Sequence, residues 1–259
     1  MIVDLHNHTP LCNHAEGTID DYVKSAIKAG SEIFGFSDHA PMDFDPKYRM
    51  KFSDMKEYEK EVLQAKEKYK KEITILLGYE VDYLPGHMDE RVLKADVDYL
   101  IGSVHFLEGW GFDNPEFMGK WEEQDIDEVW QKYFDTIENM AKSKLFDIVG
   151  HLDLIKVFKF LPKGDIKKMA KAALEAIKKA DMVIELNVAG YRKKVEEPYP
   201  SRELLEVAFS LDIPITFSSD AHTPEQVSMF NEQIVTLARE VGYTECAYFS
   251  KRKRIMREF

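Results

Sequence analysis

Residues 2–14 read IVDLHNHTPLCNH. The apolar positions Ile2, Val3 and Leu5 predict a short buried strand. Asp4, His6 and His8 recur at period two, so they share one face of it. The strand breaks at Thr9-Pro10 and His14 follows in the loop. Two imidazoles side by side at a strand end are well placed for one metal ion. A lone His-x-His is a weak signal, and its weight comes from the strand ends downstream.

Outward from this stretch, the chain repeats strand, loop and helix about seven times without a compositional break. Thr18 opens a helix with Asp21 three residues on, an apolar face of Ile19, Tyr22, Val23, Ala26 and Ile27, and Gly30 at its close. Further strands are expected at 33–37, 73–77, 99–104, 146–149, 183–186 and 215–218, and helices at 54–71, 126–143, 165–180 and 201–211. Thr223, Pro224 and Gln226 read as the N-cap, first-turn proline and capping-box partner of a last helix. The Lys- and Arg-rich tail after Tyr248 reads as a closing strand or a helix face. Short apolar strands separated by helices indicate a parallel sheet covered on both faces. The fold class is therefore α/β: a distorted (β/α)7, TIM-like barrel formed by one domain over residues 1–259, with an open doubly wound sheet as the alternative. No G-x-G-x-x-G follows a strand, which leaves a dinucleotide fold unsupported.

The predicted strands end, in order, at His6 and His8, His39, Glu80, His105, His151, Asn187, and Asp220 with His222. Six of the eight histidines thus fall at C-terminal strand ends, His14 lies in the first such loop, and His87 is left over. In a barrel those ends converge on one mouth. His6, His8, His14, His39, Glu80, His105, His151, Asp220 and His222 offer the nitrogen and oxygen donors that Zn, Fe and Mn accept. They are too many for one ion and suit two or three, with a bridging carboxylate. No thiolate belongs to the set, and Cys12 and His87 are read as non-ligands. Asp4, Asp38 and Asp153 lie within two residues of proposed ligands and could fix imidazole tautomers.

The 259 residues, 44% hydrophobic, suffice for one large core. Two cysteines make no disulfide framework, no signal pattern precedes the first strand, and no apolar run nears the roughly 20 residues of a membrane span. A soluble, cytoplasmic protein is expected. A net charge of −12 argues against a nucleic-acid partner, and the lack of a long apolar run against a membrane, although cations at the mouth would reverse the sign locally. A homo-oligomer is compatible with all of this.

Clustered divalent ions activate water and clamp an oxyanion, which suits displacement at phosphorus or hydrolysis of an amide. A phosphate handle favours phosphorus. Asn187 is followed by Arg192, whose guanidinium can hold a phosphate bidentately, and Arg202 and Lys156 are further substrate-binding candidates.

Taken together, His6-x-His8, His14, Ser37-Asp38-His39, Glu80, Ser103-Val104-His105, Gly150-His151 and Ser219-Asp220-Ala221-His222 resemble the polymerase-and-histidinol-phosphatase (PHP) superfamily, from the first strand to the seventh. The stretches DLHNHTPLCNHAEGT (4–18), GYEVDY (78–83), SVHFL (103–107), GHLDLIK (150–156), ELNVAGYRK (185–193) and EPYPS (197–201) resemble its monofunctional histidinol-phosphate phosphatases. The resemblance implies a trinuclear centre of Zn, Fe or Mn. His6, His8, Glu80 and Asp220 would hold one ion, His14, His39 and His222 a second, and Glu80, His105 and His151 a third, with Glu80 bridging. It further implies a phosphomonoesterase acting on the small ester L-histidinol phosphate in histidine biosynthesis, with a metal-bridging hydroxide attacking phosphorus. Glu80, Asp220 and His222 would be the catalytic residues, with Asp220 or a metal-bound water handling the proton. Loops 40–52 and 106–125 are expected to close over the imidazole end, with Glu16, Asp43, Phe106 and Glu108 as recognition candidates. Competing readings are a PHP phosphoesterase for nucleotides, DNA ends or other small esters, a metal-holding module without catalysis, and an amidohydrolase.

Overall fold

The apolar strands pair in chain order, each with the next. In the computed structural model, which describes residues 2–259, seven parallel strands form one sheet. They are β1 (Val3–Asp4), β2 (Ile33–Phe36), β3 (Thr74–Asp82), β4 (Tyr99–Ser103), β5 (Ile148–Val149), β6 (Val183–Asn187) and β7 (Ile215–Ser218). Across the seam, Leu5 N–H donates to the Phe217 carbonyl at 3.1 Å and His8 N–H to that of Ala221 at 3.0 Å. The sheet is therefore a nearly closed barrel.

Helices α1 (Ile19–Lys28), α2 (Met55–Tyr69), α3 (Glu90–Leu93), α4 (Ile126–Ser143), α5 (Ile166–Ala180), α6 (Arg202–Ser210) and α7 (Asn231–Val241) connect the strands. The periodic faces bury as expected: Tyr58, Val62 and Ala65 of α2, and Trp130, Tyr133, Phe134 and Ile137 of α4, join one core with Phe34, Phe36, Ile75 and Leu77. The Thr18–Asp21 capping box forms, with each side chain accepting from the other's backbone N–H. No helix among the described residues is long and apolar enough to cross a membrane.

Three local expectations are corrected. β3 runs on to Asp82, so Glu80 lies within the strand, in a register row with Ile101, Ile148 and Val183. Thr223 caps no helix: Pro224–Gln226 is a single 3-10 turn, α7 starts only at Asn231, and the Gln226 amide oxygen instead accepts from His222 N–H at 2.9 Å. The tail is neither a barrel strand nor a helix face. It is an antiparallel hairpin of β8 (Glu245–Ser250) and β9 (Lys253–Glu258).

The basic run of that hairpin has a use. Arg252 pairs with Asp147, Arg254 with Asp181 at 2.9 Å and Arg257 with Glu32 at 2.5 Å, while the backbone N–H of Arg252 donates to the Asp98 carbonyl. Those four acids stand just before β5, β6, β2 and β4. The hairpin thus clamps the N-terminal rim, with Cys246, Ala247 and Phe249 buried against Val3, Leu5, Tyr99 and Phe217. Removing the Phe249 ring leaves a cavity there, so Phe249→Ala should cost about 3–5 kcal/mol of unfolding free energy in a denaturant titration. Metal content per folded chain should be unchanged, because the strands' other end carries the donors.

Candidate metal centre

Glu80 is buried at the C-terminal mouth with imidazoles all around it. Its carboxylate oxygens lie 2.8 Å from His39 Nδ1, 3.1 Å from His151 Nε2, 3.3 Å from His6 Nε2, 3.7 Å from His105 Nε2 and 3.8 Å from His8 Nε2. Burial alone would raise its pKa, but His39, His6 and His105 hold the carboxyl well below the usual range. Burial pushes His39 down to about 4, whereas His105, against the same burial, is raised to about 10 by Asp82 and Glu80.

Most of the rings are oriented from behind. His6 Nδ1 bonds to Glu185 at 2.9 Å, His8 Nδ1 to Asp38 at 3.3 Å and His105 Nδ1 to Asp82 at 2.6 Å. His14 Nδ1 faces the Cys12 carbonyl at 2.8 Å, and His222 Nδ1 faces the Asp220 carbonyl at 3.2 Å. A carbonyl oxygen only accepts, so in these last two rings Nδ1 carries the proton and Nε2 keeps a lone pair when the ring is neutral. Those two Nε2 atoms face each other at 3.0 Å. Burial lowers the pKa of both rings, which favours their neutral forms. Two lone pairs at that distance repel unless a cation lies between them. The buried His6 Nε2 and Glu80 Oε2, without hydrogen-bond partners among the described residues, make a second facing pair.

The donors therefore fit divalent cations. Ligand atoms lie within 4.8 Å of one another in four groups: His6, His8 and Glu80; His14, His39 and His222; Glu80, His105 and His151; and His8, Cys12 and His222. Cys12 Sγ–H donates to the Thr9 carbonyl at 3.1 Å. Asp220 follows β7 with φ of 48°, in the left-handed region. That turn carries its Oδ1 to 3.1 Å from His8 Nε2, while Oδ2 accepts from Asn187.

A cavity of about 510 Å³ opens over this cluster, a volume suited to a small molecule. Its walls include Asp45, Tyr48 and Arg49 from the loop after β2, Phe106, Asp113 and Phe117 from the loop after β4, and Arg192 and Tyr199. Both loops expected to cover the site contribute.

The substrate-binding candidates separate. Arg192 lines the cavity: its Nη2 donates to the Ser219 and Asp220 carbonyls at 2.9 and 2.8 Å, while the buried Nη1 has no partner among the described residues. Asn187 lies beneath it, with its amide N–H groups on Glu185 and Asp220, so it positions Asp220 and is not a wall residue. Lys156 is buried and satisfied by Asp153, Glu197 and the Pro198 carbonyl, so it has no hydrogen left for a ligand. Arg202 points outward to Glu206 and Glu240. Asp38 orients a ring, but Asp4 bonds to Ser219 and Asn7, and Asp153 to Lys156 and Ser201. Phe106 is the one expected recognition residue in the wall. Asp43 pairs with His87 at the surface, Glu108 is exposed near Lys132, and Glu16 lines a separate surface cleft.

Comparison with known proteins agrees with this geometry. The model of the PHP domain matches residues 4–189. The chain belongs to the PHP domain family. A probable histidinol-phosphatase of Deinococcus radiodurans is 39% identical over 93% of this chain and 94% of its own. The histidinol-phosphatase of Bacillus subtilis is 30% identical over 85% of this chain and 92% of its own. The crystal structure of histidinol phosphate phosphatase from Lactococcus lactis, complexed with zinc, L-histidinol and phosphate, superposes with a TM-score of 0.78 at 22% identity, covering 98% of each chain.

Two acids of this PHP centre escaped the sequence reading as functional residues. Glu185 holds the His6 ring and the His151 backbone N–H, and Asp82 holds His105 and the buried Arg49. Each had a signal: Glu185 is a charge inside the apolar strand VIELN, and Asp82 stands two residues after Glu80, on the same strand face. Glu185→Gln presents an amide to His6 Nδ1 and should weaken zinc binding about 10- to 100-fold in competition with a chromophoric chelator. Parental affinity in the folded variant would reduce Glu185 to a packing residue.

Proposed function

We propose that the chain, acting as one catalytic unit, is a cytoplasmic, metal-dependent phosphomonoesterase that hydrolyses L-histidinol phosphate to L-histidinol and phosphate in histidine biosynthesis. The observation that carries this reading is a donor cluster centred on one buried carboxylate and opening, together with Arg192, on one cavity of small-molecule size. The names of the Deinococcus and Bacillus relatives, matched over nearly their whole lengths, support the substrate. The zinc of the Lactococcus complex supports the class of metal.

Three ions of Zn, Fe or Mn fit the donors, with Glu80 shared between the group of His6 and His8 and the group of His105 and His151, and with His14, His39 and His222 for the third. When bound, such ions supply positive charge for phosphoryl oxygens and acidify water. The chain does the rest. Arg192, anchored through Nη2 in the cavity wall, offers its guanidinium to the phosphate and fixes its orientation. Asn187 pins Asp220 Oδ2, and Oδ1, which faces His8 Nε2 at 3.1 Å, is the atom at which a proton from the attacking water can be held. His222 stays beside it through its bond to the Asp220 carbonyl. The walls from the loops after β2 and β4 flank the space for the rest of the ester.

Phosphate release from L-histidinol phosphate, a nucleoside monophosphate and an aryl phosphate tests the reading. Histidinol phosphate should be strongly preferred and a chelator should abolish turnover, whereas equal turnover of the nucleotide would overturn the substrate. Glu80→Gln should lower metal content at two groups together, seen by elemental analysis. Arg192→Ala should lower kcat/KM about 10- to 100-fold with metal retained, and Arg192→Lys should recover only part.

A further inference from the structure

One carboxylate in the cavity wall remains unaccounted for. Of the acids lining the cavity, Glu80 and Asp220 face imidazoles, Asp82 is shared by His105 and Arg49, and Asp45 lies 3.7 Å from Arg49. Asp113 is half-buried and makes no side-chain hydrogen bond or ion pair to another residue among the described residues. It belongs to the loop after β4, whose fold is set without it. Phe106 and Leu107 pair with Gly111 and Trp110, the Trp121 indole N–H donates to the Phe112 carbonyl at 2.9 Å, and Asn114 caps the following 3-10 turn. An unpaired carboxylate in a partly desolvated wall is costly, and a cationic ligand group would offset that cost.

Its position says which cation. Asp113 lines the same cavity as His105 and His151, on the loop that His105 opens, so its carboxyl and the donor cluster share one cavity. With the phosphoryl group at the cluster, the nearest cationic group of a phosphorylated amino alcohol is the ammonium on the carbon next to the ester methylene. The imidazole of histidinol phosphate extends farther, toward a wall that includes Phe106 and Phe117.

We propose that Asp113 is a specificity residue that receives the α-ammonium of the substrate, so that the cavity selects phosphate esters of 2-amino alcohols. This rests on the histidinol-phosphatase reading. It predicts a second shared property: a 2-amino alcohol phosphate without an imidazole, such as ethanolamine phosphate, is turned over better than ethyl phosphate.

The experiment crosses the variant with the substrate's charge. The metal-loaded parent protein and Asp113→Asn are assayed on L-histidinol phosphate and on its deamino analogue, 3-(imidazol-4-yl)propyl phosphate, with zinc content measured for both proteins. Asp113→Asn should raise KM for histidinol phosphate about tenfold or more, with kcat within about twofold, and should leave the deamino ester unchanged. Asp113→Glu should restore part of the loss. Affinity for the product L-histidinol, measured by calorimetry, should fall in parallel. An equal loss on both esters, or no loss on either, overturns the assignment while the parent's preference for histidinol phosphate still stands. A parent protein that does not hydrolyse histidinol phosphate overturns the functional reading and this inference with it.

Discussion

A carboxylate withdrawn from water and ringed by five imidazoles sets the terms for everything at the mouth of this barrel. Glu80 can stay ionised there only while positive charge surrounds it, whether from protonated rings or from metal ions. The rings come from the segments that follow β1, β2, β4 and β5, so the charge balance of one side chain is a statement about several segments at once. Glu185, Asp82 and Asp38 stand behind the rings, and Arg49 stands behind Asp82. Removing any outer acid should be felt first at the centre, through a ring that has lost its orientation.

The barrel divides labour between its ends. At the C-terminal mouth, Glu80 lies inside β3 and the other potential ligands follow the strands by two or more residues, and tight turns such as that at Asp220 aim them inward. At the opposite rim, three arginines of the C-terminal hairpin pair with acids that precede the strands. These pairs are partly exposed, so each contributes modestly. Their arrangement nevertheless holds Phe249 and Ala247 against the barrel, where apolar burial does most of the stabilising.

Much of this was legible in the chain. Apolar strands alternating with amphipathic helices gave the barrel, and a histidine or carboxylate at nearly every strand end gave the cluster. What could not be read was pairing. Lys156 and Arg202 look as available in sequence as Arg192, yet one is enclosed by Asp153, Glu197 and a carbonyl, and the other answers acids on its own helix and on α7. Asp113 stood in a loop with no periodicity to mark it, and its interest lies in the absence of a partner, which only three dimensions reveal. Thr223-Pro224 carries the letters of a helix start, but Gln226 is used by the backbone of His222, and the helix waits until Asn231. The tail differs for a related reason: it read as a closing strand or a helix face, and it is a separate hairpin whose three arginines are matched to acids far away in sequence.

The seam of the barrel has a consequence for how the protein comes into being. His8 and Asp220, 3.1 Å apart in the folded chain, are separated by 212 positions. At a synthesis rate of about 5–20 residues per second, His8 waits about 10–40 s for Asp220 to be made. Until then β1 has a neighbour on only one side, and several imidazoles and carboxylates of the mouth are already synthesised without their final geometry. A nascent chain of this design is a loose, multidentate chelator before it is a barrel, and closure of the last strand on the first is the event that turns it into a selective one.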